Sequence, residues 1–286
     1  MGLWALPSPQ QSMVAADMTW SASSLAAFTA TASATPHTKG AWVEVEASTS
    51  AEWAGVRVIR HTALNVAATD TSTLLDIGLG ASGSEVVVVS NLPVGYSITG
   101  GGFDLPIRVP TGTRVAVRVQ SARASQTAAF RLVPWTGEGV AGSRTYQTAT
   151  TYGANTATSR GVTVTASAGT INTFGAWTSI VAATSAPIRA MVVGIQGNGD
   201  TDLAASAWRL EIGYGGAGSE QAIATLGAIA SSSEAMSSTP GSLHTVPTDV
   251  PFTVSIPEGA RLVARLMTAT STTTNPAVDV AVIGLR

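Results

Sequence analysis

One block of sequence occurs twice in this chain, and no other feature limits the fold so strongly. Gly40-Ala41-Trp42 returns as Gly175-Ala176-Trp177, 135 positions later. Asp76-Ile77-Gly78-Leu79-Gly80-Ala81-Ser82-Gly83-Ser84-Glu85 returns at the same offset as Glu211-Ile212-Gly213-Tyr214-Gly215-Gly216-Ala217-Gly218-Ser219-Glu220. Pro110-Thr111-Gly112-Thr113-Arg114 returns as Pro257-Glu258-Gly259-Ala260-Arg261, and Arg118 as Arg265. The offset has then grown from 135 to 147, so the second copy carries 12 extra residues. The polar stretch 231–248 is the expected place, because loops absorb insertions at little cost. Each copy closes on an apolar strand, Ala129–Val133 and Asp279–Ile283. A chain of 286 residues is long enough for two domains with a core each. The expected division is an arm over 1–15, a first repeat over 16–135, a Gly-rich linker over 136–143 and a second repeat over 144–286.

The hydrophobic pattern is that of strands. Trp42-Val43-Glu44-Val45-Glu46 and Arg114–Gln120 alternate apolar with polar, as half-buried strands do. Gly161–Ala166 alternates too, whereas Val86–Val89 is continuously apolar and reads as buried on both sides. Strands recur about every ten residues with Gly, Pro, Asn and Ser between them. Ser24–Thr29 is rich in alanine, but its counterpart is the Val-Thr strand of the second copy, so it too reads as strand. The expected fold is all-β: two tandem β-sandwich, jelly-roll-like domains related by the repeat.

Composition narrows the partners. Charged residues are 11% of the chain, less than half the usual ~25%. Apolar residues are 45%. A surface so poor in charge suits a protein that covers itself with copies or neighbours. Lys39 is the sole lysine and no basic stripe exists, which excludes a phosphate-tracking nucleic-acid surface. Cysteine is absent, so there is neither a disulfide nor a thiolate metal site. The N-terminus lacks a basic region followed by an apolar run, so no secretion signal is expected, and no run of about 18 apolar residues suggests a membrane span.

The candidate chemistry is thin. Gly78–Gly83 and Gly213–Gly218 both fit G-x-G-x-x-G, but a strand follows each where a dinucleotide site needs a helix. The glycines are expected to form a hairpin turn. Asp76 and Glu211, and Glu85 and Glu220, hold equivalent places. They are expected to cap turn amides or pair with arginines such as Arg114 and Arg261; an acid/base pair is the rival reading. His37, His61 and His244 have no ligand at metal-site spacing. Asn198-Gly199-Asp200-Thr201-Asp202 is a faint calcium-loop pattern without its later Glu. No catalytic, metal or cofactor site is expected, and no cofactor. Trp42 and Trp177 read as core. Trp53 and Trp208, without aromatic counterparts, are candidates for a glycan-binding or interface face, as are Trp4 and Trp20 less directly. Leu3, Trp4, Leu6 and Pro7 fall outside the repeat and read as an arm that docks on a neighbour.

The chain resembles minor tail proteins from phages of GC-rich actinobacteria. The residues that carry the resemblance are Thr35–Trp42, Leu74–Gly78, Gly83-Ser84-Glu85 and the Val109-Pro110-x-Gly112-x-Arg114 strand start, across most of both repeats. It implies a non-enzymatic virion structural protein, a homo-oligomer, trimeric in an appendage, whose partners are itself and other virion proteins. Alternative readings are a carbohydrate- or receptor-binding module at the host-facing tip, which would contact a cell-surface glycan, a capsid decoration or head-fibre protein, and a cell-wall hydrolase built on Asp/Glu pairs. The resemblance brings no catalytic residues.

Overall fold

The computed structural model describes residues 19–20, 28–60, 73–94, 103–136, 145–154, 161–197, 207–229, 243–245, 252–269 and 276–286. These residues form strands and turns and no helix. The first repeat holds β1 (Thr19–Trp20), β2 (Phe28–Thr31), β3 (Val43–Glu46), β4 (Gly55–Arg60), β5 (Thr73–Leu79), β6 (Val86–Pro93), β7 (Phe103–Leu105), β8 (Val115–Ser121) and β9 (Thr127–Thr136). The second holds β10 (Ala149–Tyr152), β11 (Val162–Thr165), β12 (Thr178–Val181), β13 (Ile188–Gly197), β14 (Ala207–Tyr214), β15 (Gln221–Ile229), β16 (Leu243–Thr245), β17 (Phe252–Ile256), β18 (Leu262–Thr268) and β19 (Ala277–Leu285).

Strand pairing repeats along with the sequence. One sheet of the first repeat runs β1-β9-β4-β7, with β2 also beside β9. Its counterpart runs β10-β19-β13-β17, with β11 beside β19. The other sheet runs β3-β8-β5-β6 in the first repeat and β12-β18-β14-β15 in the second. Registers agree as well: Val56 lies opposite Leu105, and Met191 opposite Phe252. The fold is all-β, two sandwiches in tandem. The extra residues of the second copy fall between β15 and β17, and part of them forms β16 against β13.

The two repeats share a sheet. β10 pairs antiparallel with β19 of its own repeat and parallel with β6 of the first, Ala149 opposite Val89 and Thr150 opposite Ser90. A sheet of ten strands therefore crosses from one repeat to the other. The cores follow the same plan. In β13 and β19, Met191, Val193, Ile195, Val278, Val280 and Val282 face the second core. Their alternates Ala190, Val192, Ile283 and Leu285 complete the first. The period of two thus sends one strand's side chains into both cores, which is why β19 is buried at every position. Burying Ile283 and Leu285 completely contributes about 1.5–3 kcal/mol each to holding the repeats together.

Several expectations change. Val86–Val89 is not buried on both sides: Val86 is 66% exposed and Val87 half-buried. The cover that β10 gives to β6 starts only at Val89, so the first two valines stand beyond it. Trp42 and Trp177 are half-buried lids on the sheet, not core residues. The arm 1–15 with Leu3, Trp4, Leu6 and Pro7, residues 24–27, His61 and the loop Asn198–Asp202 lie outside the described residues. So does the linker, apart from Thr136, which ends β9.

Candidate functional site

The glycine turns are built around a carboxylate. In the β5–β6 hairpin Gly80 and Gly83 take φ of 111° and 84°, and in the β14–β15 hairpin Gly215 and Gly218 take 131° and 83°. Left-handed backbone of this kind favours glycine. Glu85 Oε2 accepts from the Gly83 amide at 3.0 Å, and its Oε1 from Arg114 Nη1 at 2.9 Å. Glu220 repeats the pattern with Gly218 at 2.9 Å and Arg261 at 2.8 Å. Arg114 also donates from Nε to Glu44 at 2.7 Å. Burial pushes the Glu85 carboxyl up. The backbone amides of Glu85 and Gly83 and the Arg114 guanidinium outweigh it and hold the group below the usual carboxylate range. For Glu220 the Arg261 hydrogen bond leads in the same direction. A glycosidase-type general acid needs the opposite shift. These carboxylates cap the turn amides and pair with the arginines, as the repeat suggested.

Linkage gives the sign of a pH effect. A carboxylate whose pKa is lower in the folded state adds stability above its unfolded value near 4.5, and loses it as pH falls through the folded value. Thermal melts of Glu85→Gln/Glu220→Gln should therefore fall less steeply than wild type between about pH 6 and pH 3. Parallel curves would refute this assignment.

On the outer face the repeats diverge. Asp76 is 2% exposed and accepts three hydrogen bonds: Lys39 Nζ at 2.7 Å, Arg118 Nε at 3.0 Å and the Asn91 amide at 2.8 Å. Burial pushes the Lys39 ammonium down; Asp76 pulls it back up without offsetting the burial. The Arg118 guanidinium lies over Trp42, 4.5 Å from the ring centroid. In the second repeat Arg265 pairs with Glu211 at 2.6 Å. It lies over Trp177 at 4.3 Å and over Phe174, the residue in the place of Lys39, at 4.6 Å. Each tryptophan covers a glycine. A Cβ on Gly78 would meet Trp42 at 2.7 Å, and one on Gly213 would meet Trp177 at 2.9 Å. This close approach is what the repeated glycine and tryptophan encode.

A buried threonine in each repeat escaped the sequence reading. Thr49 Oγ1 donates to Pro110 O at 2.7 Å and accepts from the Thr113 amide at 3.0 Å. Thr184 does the same with Pro257 O at 2.9 Å and the Ala260 amide at 3.2 Å. Each clamps the Pro-x-Gly-x-Arg turn. Thr49-Ser50-Ala51 and Thr184-Ser185-Ala186, again 135 apart, were the available signal. Thr49→Val keeps the shape but orphans a part-buried amide and carbonyl. It should cost about 1–3 kcal/mol in a denaturant titration; a change below about 0.5 kcal/mol, the scatter of ordinary surface substitutions, would show that water or relaxation replaces the clamp.

The aromatic candidates are not a surface platform. Trp53 is 7% exposed and packs in the first core, and its backbone pairs with Val109. Trp208 is 5% exposed and packs in the second core. Its edge, with Asn172, Arg209 and Met267, borders a shallow pocket of about 620 Å³. Both rings are thus largely enclosed within the single chain, one in each core. His37 is an exposed turn residue at φ 60°, and its counterpart Asn172 has φ 55°. Their amides donate to equivalent carbonyls, Ser121 at 2.7 Å and Thr268 at 2.8 Å. His37 thus serves the turn, a conformation that Asn and His tolerate. His244 lies in β16 opposite Ile195. Among the described residues no group of three His, Asp or Glu is placed to hold a metal.

What remains is the junction between repeats. Tyr146 runs parallel to Ile107: its amide donates to Pro106 O at 2.7 Å, and its carbonyl accepts from the Arg108 amide at 3.0 Å. Three residues on, the same segment becomes β10 and pairs with β6. Tyr146 and Ile107 are both buried in the first core. No family model and no curated protein matches the chain. Among solved structures the chain is similar to the viral capsid protein STIV MCP over 91% of its length and 96% of that chain, with 10% identity and a TM-score of 0.36.

Proposed function

We propose that this chain is a non-enzymatic structural protein of a bacteriophage virion, a minor tail protein in a homo-oligomeric, trimeric surface assembly. The observation that carries the reading is the junction. One sheet and shared core residues make the two sandwiches a single stiff block, which suits a building element better than a module that must close on a ligand. Two features support it. The repeated carboxylates are bound by arginines and turn amides, so they hold the fold. A charge content of 11% fits a surface covered by neighbours. The resemblance of Thr35–Trp42 and the other repeated motifs to actinobacteriophage minor tail proteins supplies the virion and the tail. In this reading Leu3, Trp4, Leu6 and Pro7 form the arm that engages a neighbouring virion protein. Gold-antibody labelling of intact particles tests it. Label along or at the end of the tail is the expected result. Label over the capsid would make the chain a decoration protein, and particles without label would remove the virion role.

A further inference from the structure

The junction inside the chain has two unused halves at its ends. β1 holds in the first repeat the place of β10 in the second: Trp20 lies opposite Trp135 on β9 as Ala149 lies opposite Leu285 on β19. β10 uses its other edge to join β6. Among the described residues nothing pairs with the other edge of β1. β15 is likewise the counterpart of β6, since Ala224 faces Ile212 as Val89 faces Ile77. Among the described residues its outer edge is also unpaired.

The surface around β15 differs from that around β6 where a covering strand is missing. Val88 and Val89 are buried, while Ile223 and Ala224 in the same places are half-exposed. Ile107, under Tyr146, is 1% exposed, while its counterpart Val254 is half-exposed. Val254 lies in a groove of about 660 Å³, bordered by Ile188, Arg189, Thr253, Ser255 and Ile256. That groove is where the Tyr146 segment would lie if the second repeat were the first.

We propose that β15 receives β1 of a second copy of the chain, added in parallel beside this groove, so that the junction within each chain recurs between chains. Strand addition satisfies both edges at once and covers Ile223 and Ala224. The contact is heterologous: one chain's end meets the next chain's start, and the series closes into a ring or continues as a filament. It rests on pairing geometry and holds whichever particle the chain builds, so particles without gold label would leave it standing.

The test uses the absence of cysteine from the sequence. The repeat places Trp20 opposite Ala224 of the neighbour, within reach of a disulfide. Full-length Ala224→Cys and Trp20→Cys are purified separately, then mixed under mild oxidation and run on a non-reducing gel. A covalent dimer from the mixture and from neither protein alone is the expected result, with its loss when Ile223→Lys is added to the Ala224→Cys chain. If Trp20→Cys melts early, the pair one residue along the same register, Thr19→Cys with Ile223→Cys, replaces it. No dimer with either pair, or equal self-linkage of Ala224→Cys, would overturn the proposal.

Discussion

Gly40→Ala should be among the most damaging single-methyl additions in this protein, lowering stability by about 3 kcal/mol and the melting temperature by about 10 °C. A Cβ at Gly40 would stand 2.0 Å from the Thr31 carbonyl oxygen, and one at Gly175 would stand 2.3 Å from that of Thr165. Both obstacles are backbone atoms in strands, which cannot swing away as a side-chain tip can. Neither glycine is free to retreat, because the Gly40 amide donates to Val119 and the Gly175 amide to Leu266, both at 2.8 Å. The comparison is Gly112→Ala. That glycine has φ of 74° but open space about its Cβ position, so the change costs only the left-handed penalty of about 1–2 kcal/mol. Differential scanning calorimetry of the three variants decides: Gly40→Ala and Gly175→Ala must both melt below Gly112→Ala. If they do not, the close approach is not what keeps glycine at these two positions.

The glycines of Gly-Ala-Trp also show what the sequence could and could not reveal. Their recurrence at one offset was visible, and so were the turn glycines, the acids beside them and the all-β pattern, because each is a local requirement of backbone or charge. The role of the tryptophans was not. Trp42 and Trp177 were read as core because they recur, yet they recur as lids over Gly78 and Gly213 on the outer face. Trp53 and Trp208 do not recur, which leaves a binding face and the core equally open to them, and they fill the cores. Recurrence marks a geometric need and says nothing of which face of a sheet a ring covers. Val86 misled for a related reason, since composition alone does not tell where a neighbouring strand begins. The junction left no signal at all: β10 meets β6 over two register pairs between residues about 60 apart, and Tyr146 has no matching motif to announce it.

That junction bears on how an assembly would gain stiffness. Two sandwiches joined by a chain of glycines would move independently. Here β13 and β19 present alternate residues to two cores, so separating the repeats exposes Ala190, Val192, Ile283 and Leu285 along with the edges of β6 and β10. The repeats should unfold together, because the ten-stranded sheet and part of the first core belong to both.

The outer-face charge clusters provide the second large effect, and it should differ between repeats. Asp76→Ala should cost about 3–5 kcal/mol, as expected when one member of a buried ion pair is removed. The Asp76 side chain is 3% exposed and serves Lys39, Arg118 and the Asn91 amide together. Its loss leaves two cations side by side, one of them an ammonium that burial already disfavours. It also frees the amide of Asn91, whose φ of 55° marks the irregularity where β5 and β6 shift register. Glu211→Ala removes the equivalent acid at much lower cost, about 1–2 kcal/mol. The Glu211 side chain is 14% exposed, and Arg265 is 30% exposed. Arg265 keeps the faces of Trp177 and Phe174 when the carboxylate is gone; Lys39 has no such retreat. Chemical denaturation of the two variants measures the difference directly. Equal losses would mean that the aromatic pair does not shelter Arg265. A loss at Asp76 no larger than about 1 kcal/mol would mean that the cluster behaves as an exposed ion pair, open to water despite its burial.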